Sequence, residues 1–323
     1  MAHIQLKLNN GKDMNAIGIG CWMGTAGESQ QVADMVSSAL RLGYRHIDTI
    51  RPQTMVKSCQ CQSRLIANSL FQGNERSVGK AIRESNIPRS EIFLVTKLSF
   101  VNPVPEALGV EYVDLYLMHW PQAFDTDQAR FCTPEVSPTF AETWKMMESL
   151  VESGKTRSIG VSNFSIQNLD VLLKHARIIP VTNQVEMHPC LPQHELLAYC
   201  SSRGIILTAY SPVGKLKFGT NTSVLNIARQ TGASVSQVLL SWGVQRGTAV
   251  IPKSVHETHQ KENLTLIKLQ ENDMRILDDL HLQPGMHRSV CGFHSSDLGG
   301  SCFGWTYAQL GWDMVEGGVM RGC

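Results

Sequence analysis

Asp48, Lys97 and His119 each close a run that reads as a strand, Tyr44–Asp48, Glu91–Lys97 and Tyr112–His119. Brought to one place, three such groups could do acid–base chemistry on a polar bond. A partly desolvated lysine loses basicity, and a neighbouring aspartate holds it charged. A neutral histidine beside them can hydrogen-bond a carbonyl oxygen or transfer a proton. A second use of Lys97 would be a Schiff base, with Asp48 as proton shuttle. The chain has no H-E-x-x-H, no carboxylate cluster and no G-x-S-x-G. Neither a metal centre nor a serine-hydrolase elbow is therefore expected.

Those residues need a frame. Apolar, β-rich runs fall at Ala16–Gly20, Tyr44–Asp48, Glu91–Lys97, Tyr112–His119, Arg157–Val161, Pro180–Glu186, Ile205–Tyr210 and Ala249–Pro252. Helical periodicity lies between most of them, at Ser29–Leu42, Asn74–Glu84, Pro138–Glu152, Ile166–His175, Gln193–Ser202 and Ser234–Gln245. Repeated βα units with right-handed crossovers close into an α/β (β/α)8 TIM barrel. An open doubly wound sheet is the rival, but it should carry G-x-G-x-x-G after its first strand. Gly18-Ile-Gly20-Cys-Trp-Met-Gly24 has the wrong third spacing and reads as a turn.

Barrel enzymes place chemistry at the C-terminal ends of their strands. Here those ends give Cys21-Trp22, Asp48, Lys97, His119-Trp120, Ser162-Asn163, Gln184-Val185-Glu186, Tyr210-Ser211 and Lys253-Ser254. Each alone has an ordinary explanation: Asp48 as a turn cap, His119 as a satisfied core histidine. A polar residue on every strand end is harder to dismiss.

Composition narrows the partners. A formal charge of +1 over 323 residues provides no electrostatic footprint for nucleic acid or an anionic membrane. No apolar run approaches the roughly 20 residues that span a bilayer. The first residues alternate polar with apolar and lack a secretory core. Nine cysteines, without zinc-type spacing, read as reduced thiols in a cytoplasmic protein. One domain is expected over 1–323, with 285–323 laid over the barrel mouth.

Several strings carry a specific resemblance. They are Gly43-Tyr-Arg-His-Ile-Asp48-Thr49, Val95-Thr-Lys97-Leu98, Val113-Asp-Leu-Tyr-Leu-Met-His119-Trp120-Pro121, Gly160-Val-Ser-Asn163-Phe164, Asn183-Gln184-Val-Glu186 and Ile251-Pro-Lys253-Ser254. Together, over residues 4–285, they resemble the aldo-keto reductase family, and the tail Phe303-Gly-Trp305-Thr-Tyr-Ala-Gln-Leu-Gly311 is similar to fungal members. The resemblance implies reduction of aldehydes and ketones by hydride from NADPH, with Asp48, Lys97 and His119 as catalytic residues, in a monomer. It assigns Ser162, Asn163 and Gln184 to the nicotinamide, Tyr210 to its ring face, and Ser211, Pro212, Val213 and Gly214 to the pyrophosphate. Lys253 and Ser254 would hold the 2′-phosphate, and Asn263, with Glu262 beside it, the adenine. Gly20, Cys21 and Trp22 complete the cofactor set. The family usually carries an arginine where His259 stands, so a bidentate phosphate binder is replaced. Trp22, His119, Trp120 and Trp305 would meet the carbonyl substrate.

Two departures fall beside the proposed centre. The family's acid is a tyrosine shortly after the aspartate, leading into Asn-Glu. Here Asn74-Glu75 arrives 26 residues after Asp48, and the segment Ile50–Gln72 contains no tyrosine. Gln53 and Gln72 stand at the matching offsets, and Phe71 offers a ring without a hydroxyl. His119 follows Lys97 by only 22 residues, and Ser99–Gly109, with Pro103 and Pro105, is short for a crossover helix. The resemblance therefore implies NADPH binding with weak carbonyl reduction. The alternatives are a non-catalytic NADPH-binding barrel and an inactive splice-type product.

Overall fold

The computed structural model describes residues 4–23, 30–49, 74–98, 108–125, 130–216 and 218–322. Gln53, Phe71, Gln72, the segment 50–73 and most of the expected short crossover lie outside them.

Period-two alternation builds the sheet. Phe93, Val95, Leu115 and Leu117 share one small core with Leu8, Met14, Val181 and Ala249. Their neighbours Leu94, Tyr116 and Met118 belong to the larger core under the helices. Each strand therefore sends one set of side chains into the barrel and the other outward, as successive residues on a pleat must.

Eight parallel strands result: β1 (Ile19–Gly20), β2 (His46–Asp48), β3 (Phe93–Leu98), β4 (Leu115–Met118), β5 (Ile159–Ser162), β6 (Thr182–Glu186), β7 (Ile206–Tyr210) and β8 (Ala249–Val250). They lie in sequence order across one sheet. Ile17 bridges Val250 in parallel, Gly18 N donates to Val250 O at 2.9 Å, and Val250 N donates to Ala16 O at 2.7 Å. These bonds join the first strand to the last and close the barrel. The hairpin Gln5–Lys7 with Asp13–Asn15 brings Leu8 and Met14 to the barrel's N-terminal floor.

The crossovers explain their own ends. Helix α1 (Gln30–Leu42) buries Val32, Met35, Val36, Ala39 and Leu40, an i, i+3, i+4, i+7, i+8 stripe. It packs on α2 (Glu75–Glu84). Helix α3 (Phe140–Glu152) starts one residue after Thr139, whose capping box with Glu142 fixes the boundary two residues later than periodicity predicts. α4 (Ile166–Leu173), α5 (His194–Ser201), α6 (Thr222–Thr231) and α7 (Val235–Gln245) complete the ring.

Periodicity also stops too soon. Among the described residues three α-helices lie beyond Gln245: α8 (Glu257–Asn263), α9 (Glu271–Asp278) and the one-turn α10 (Tyr307–Leu310). The first, Glu-Thr-His-Gln-Lys-Glu-Asn, has no apolar stripe and is anchored by buried Gln260 and Asn263 instead. α6, between β7 and α7, is likewise an addition to the expected set; its Asn221 cap and Gly232 stop bound it.

The third unit differs from the rest. β3 and β4 pair directly in parallel, Val95 with Leu115 through Leu98 with Met118, and the described part of their connection, 108–114, contains no α-helix. That connection runs against α2 at Gly79. A β-carbon there would sit 2.0 Å from Leu108 O, so only glycine admits the chain.

Candidate active site

Inward alternation carries straight up into polar residues. Lys97 continues the series Phe93, Val95, and His119 continues Leu115, Leu117. At the barrel's C-terminal rim Lys97 Nζ meets Asp48 Oδ1 at 2.5 Å and Thr49 O at 3.3 Å. Both side chains are almost wholly buried, 4% and 6% exposed. Gln184 Nε2 donates to the other carboxylate oxygen, Oδ2, at 2.7 Å. A buried ion pair is tolerable only where other hydrogen bonds support it, and here both carboxylate oxygens and two of the three ammonium donors have partners.

His119 follows the end of β4, the strand that pairs with the one carrying Lys97. Burial, and then the positive charge of Lys97, push its pKa well below 6.5, so the ring is neutral at neutral pH. Its carbonyl accepts from Asn163 Nδ2 at 3.0 Å. Asn163 lies at φ +64°, a left-handed position that asparagine tolerates. Its side chain also touches Ser162 Oγ at 3.1 Å and accepts the Tyr210 hydroxyl at 2.8 Å. Ser162 Oγ in turn donates to Gln184 O at 2.8 Å. Ser162, Asn163, Gln184 and Tyr210 thus form one hydrogen-bonded cluster joined directly to Asp48.

Along the rim from β7 to β8 the character changes. Ser211 and Gly214 both have positive φ, and Pro212 is buried between them. Gly20 lies against Ile251 O, which a β-carbon would approach to 2.9 Å. Lys253 is exposed and has no ion pair among the described residues, while Ser254 is buried. His259 and Glu262 are exposed on α8 and Asn263 is buried. His256 and His259 rings meet edge to face at 5.4 Å. No group of three or more metal-binding side chains occurs among the described residues.

These features test the fit of a dinucleotide. A free cation beside a buried hydroxyl sits at β8, a loop with left-handed turns at β7, and an amide cluster at β6 and β5. Read along adjacent strands, that order suits a phosphate at one end and a carboxamide at the other.

The aromatic residues are arranged differently from expectation. Trp305 is 2% exposed, and its indole N–H donates to Cys132 O at 2.6 Å. It is a core residue, pinned in the antiparallel strands Ser301–Cys302 and Trp305–Thr306, and does not present a wall to substrate. Trp120 is buried too, packed edge on against Phe303 at 4.8 Å and Phe293 at 5.1 Å, with Trp312 at 6.0 Å. Trp22 is 42% exposed. Cys21 is fully buried; burial and Asp48 raise its thiol pKa far above the usual range, so it is no nucleophile.

Phe293, Phe303 and Trp312 bear no polar or charge signal and lie far from the barrel motifs in sequence. Only the docking of the C-terminal segment brings them to Trp120. Trp312 and Phe293 line a cavity of about 430 Å³ with Asn163, Tyr210 and Glu186. A second, open cavity of about 650 Å³ lies at the N-terminal face, lined by Asn15, Arg45, Asp114 and Arg157, away from this chemistry.

Glu186 has a role that its place in the rim did not disclose. Burial raises its pKa, but hydrogen bonds from His188, Ser289 and Val290 outweigh that and hold it below the usual carboxylate range. It faces the tail, not Asp48.

Comparison with known proteins agrees with the geometry. The aldo/keto reductase family model matches residues 16–281. The chain is 35% identical to the aldehyde reductase YPR1 and 36% identical to a glycerol 2-dehydrogenase (NADP(+)), both of Saccharomyces cerevisiae; each match covers 88% of this chain and 93% of the relative. Among solved structures, an aldo/keto reductase from Brucella melitensis matches with TM-score 0.71 and 34% identity, over 86% of this chain and all of the other. A Bombyx mori aldo-keto reductase in complex with NADP matches with TM-score 0.75 and 28% identity, over 90% and 96%.

Proposed function

Since the chain belongs to the aldo/keto reductase family, we propose that it is an NADPH-dependent oxidoreductase that reduces an aldehyde or ketone, with weak turnover. The observation that supports this most is the buried Asp48–Lys97 pair, joined through Gln184 to the amide cluster, with neutral His119 at the end of the next strand.

NADPH supplies the hydride when bound. Lys253 and Ser254 would hold its 2′-phosphate, Ser211 to Gly214 its pyrophosphate, and Ser162, Asn163 and Gln184 its carboxamide. His119, being neutral, donates an N–H to the substrate oxygen and orients the carbonyl. Lys97 keeps a positive charge behind the oxygen as negative charge develops there.

The proton is the weak point. Of the six tyrosines, Tyr210 is the one at the rim of the amide cluster, and burial pushes its pKa well above 10. Tyr44 donates to Gln260 O in the core, and Tyr307 pairs with His294. Burial raises the pKa of all three, so none of them is an activated acid, and residues 50–73 contain no tyrosine. Delivery falls to His119 or to a water it holds. A positioned general acid contributes about 10²–10⁴-fold, or roughly 3–5 kcal/mol, and turnover falls by that order.

The missing tyrosine also favours a second reading, a nucleotide-binding barrel without catalysis. Titration with NADPH, followed by protein fluorescence, and an assay over a panel of aldehydes separate the two. Absence of quenching would sink both. Binding without turnover supports the second. Robust turnover indifferent to His119→Ala would overturn the role given to His119.

A further inference from the structure

Gln184 and Glu186 alternate on β6, and both point into the rim. Gln184 holds Asp48; Glu186 holds the C-terminal segment. Ser289 Oγ donates to Glu186 Oε2 at 2.5 Å, and Val290 N donates to Oε1 at 2.7 Å. His188 Nε2 lies 3.0 Å from the same Oε1, while its Nδ1 is buried without a partner among the described residues. The carboxylate is therefore the anchor for three donors from two separate parts of the chain.

The peptide just beyond that anchor forms the rim. Cys291 Sγ stands 3.8 Å from Ser211 Oγ, at the loop that follows β7. Phe293 packs on Trp120 at 5.1 Å, and Trp120 directly follows His119. The remaining ties at this point, Arg288 N to Cys190 O and Ser289 N to Gly318 O, are backbone bonds. Glu186 is thus the barrel side chain that sets where the tail begins to cross the mouth.

We propose that Glu186 is a positioning residue for specificity: by docking residues 289–290 on β6 it sets Phe293, backed by buried Trp120, as the wall that the carbonyl substrate's side group meets. The substrate half of this rests on the reading above; the docking half does not. An amide is a poorer anchor: it carries no charge to strengthen the three bonds, and its NH2 fits only if the Ser289 hydroxyl turns from donor to acceptor. Cys291 reports on the dock without any turnover. Burial raises its thiol pKa far above the usual range, and the charge of Glu186 raises it further, against Lys215 and Ser211, which lower it. Tyr210 and Cys302 are the other titratable groups facing this point.

The test is iodoacetamide labelling of the purified full chain, mapped by peptide mass, for the unmodified protein, Glu186→Gln and Ser289→Ala. A hydrogen bond to a charged group holds enough free energy that Cys291 should label about tenfold faster in Glu186→Gln, and by a smaller factor in Ser289→Ala. The pH midpoint of labelling should also fall in Glu186→Gln. Cys200, buried on the helix His194–Ser201 and making no contact with residues 288–291, should keep its rate. With turnover, KM for benzaldehyde should rise about tenfold in Glu186→Gln, and that for propanal much less, with kcat nearly unchanged. Equal acceleration at Cys200 would mean general loosening and overturn the proposal. So would an unchanged rate at Cys291 in both variants. If Glu186→Gln does not fold, Ser289→Ala decides. A protein that never turns over defeats the reductase reading and leaves the labelling result standing.

Discussion

Gln184 donates its side-chain amide to Asp48 Oδ2 at 2.7 Å from a position 136 residues further along the chain. Lys97 occupies the other carboxylate oxygen, so one buried group ties β2, β3 and β6 together at the mouth. Asp48→Ala leaves a buried ammonium without its partner and should destabilise the protein by about 3–5 kcal/mol. The double variant Asp48→Ala with Lys97→Met should lose less than the sum of the two singles. Urea unfolding measures both; additive losses would show that the pair is not coupled.

Stability should fall in acid because several histidines are buried neutral. His119 has a folded pKa well below 6.5, and His287 is pushed down to about 4 by burial and by the rings of His281 and His194. Below pH 6.5 the unfolded chain takes up protons that the folded chain refuses, so unfolding becomes easier as pH drops. For His287 the window runs from 6.5 to about 4. Its ring lies 4.7 Å from His281, which lies 5.4 Å from His194, so protonation also sets like charges together. Thermal melting from pH 7.5 to 4.5 should show a steady loss, shallower in His287→Gln. Parallel curves would discount this cluster.

Cofactor preference should rest on Lys253. Its charge-assisted contact with a phosphate is worth enough that Lys253→Ala should weaken NADPH binding about tenfold or more, with NADH little affected. His259→Arg should strengthen NADPH binding by restoring a planar donor fork. Fluorescence titration with both nucleotides checks this, and equal effects on the two would remove Lys253 from the phosphate site.

The two tail tryptophans should behave in opposite ways. Trp305, buried and bonded to Cys132 O, should cost about 3–5 kcal/mol when changed to alanine. Trp312 is half-buried and lines the cavity at the rim. Its alanine variant should keep most of the stability and change KM instead. Chemical unfolding and steady-state kinetics on the two variants give the comparison.

Much of the barrel was legible because the signal is local. Alternation along Phe93, Leu94, Val95, Thr96, Lys97 names the inward face, and the polar residue that ends it names the rim. α8 was invisible for the opposite reason: its residues are polar all round, and its anchors act through hydrogen bonds. Gln260 reaches Met35 O and Ser254 O, neither of which periodicity can register.

By itself the sequence determined the frame and the chemistry at its edge. A period of two on the strands and of 3.6 on the helices is set by neighbouring residues, so it can be read without contacts. It also determined what is missing, since no tyrosine occurs from Ile50 to Gly73. Tertiary structure alone decided which rim residues touch. Gln184 reaching Asp48, Glu186 gripping Ser289 across 103 positions, and Trp312 rather than Trp305 facing the cavity all follow from barrel closure and tail docking. Those contacts depend on the register between distant segments. No local pattern encodes it, because each segment would look the same docked one residue away.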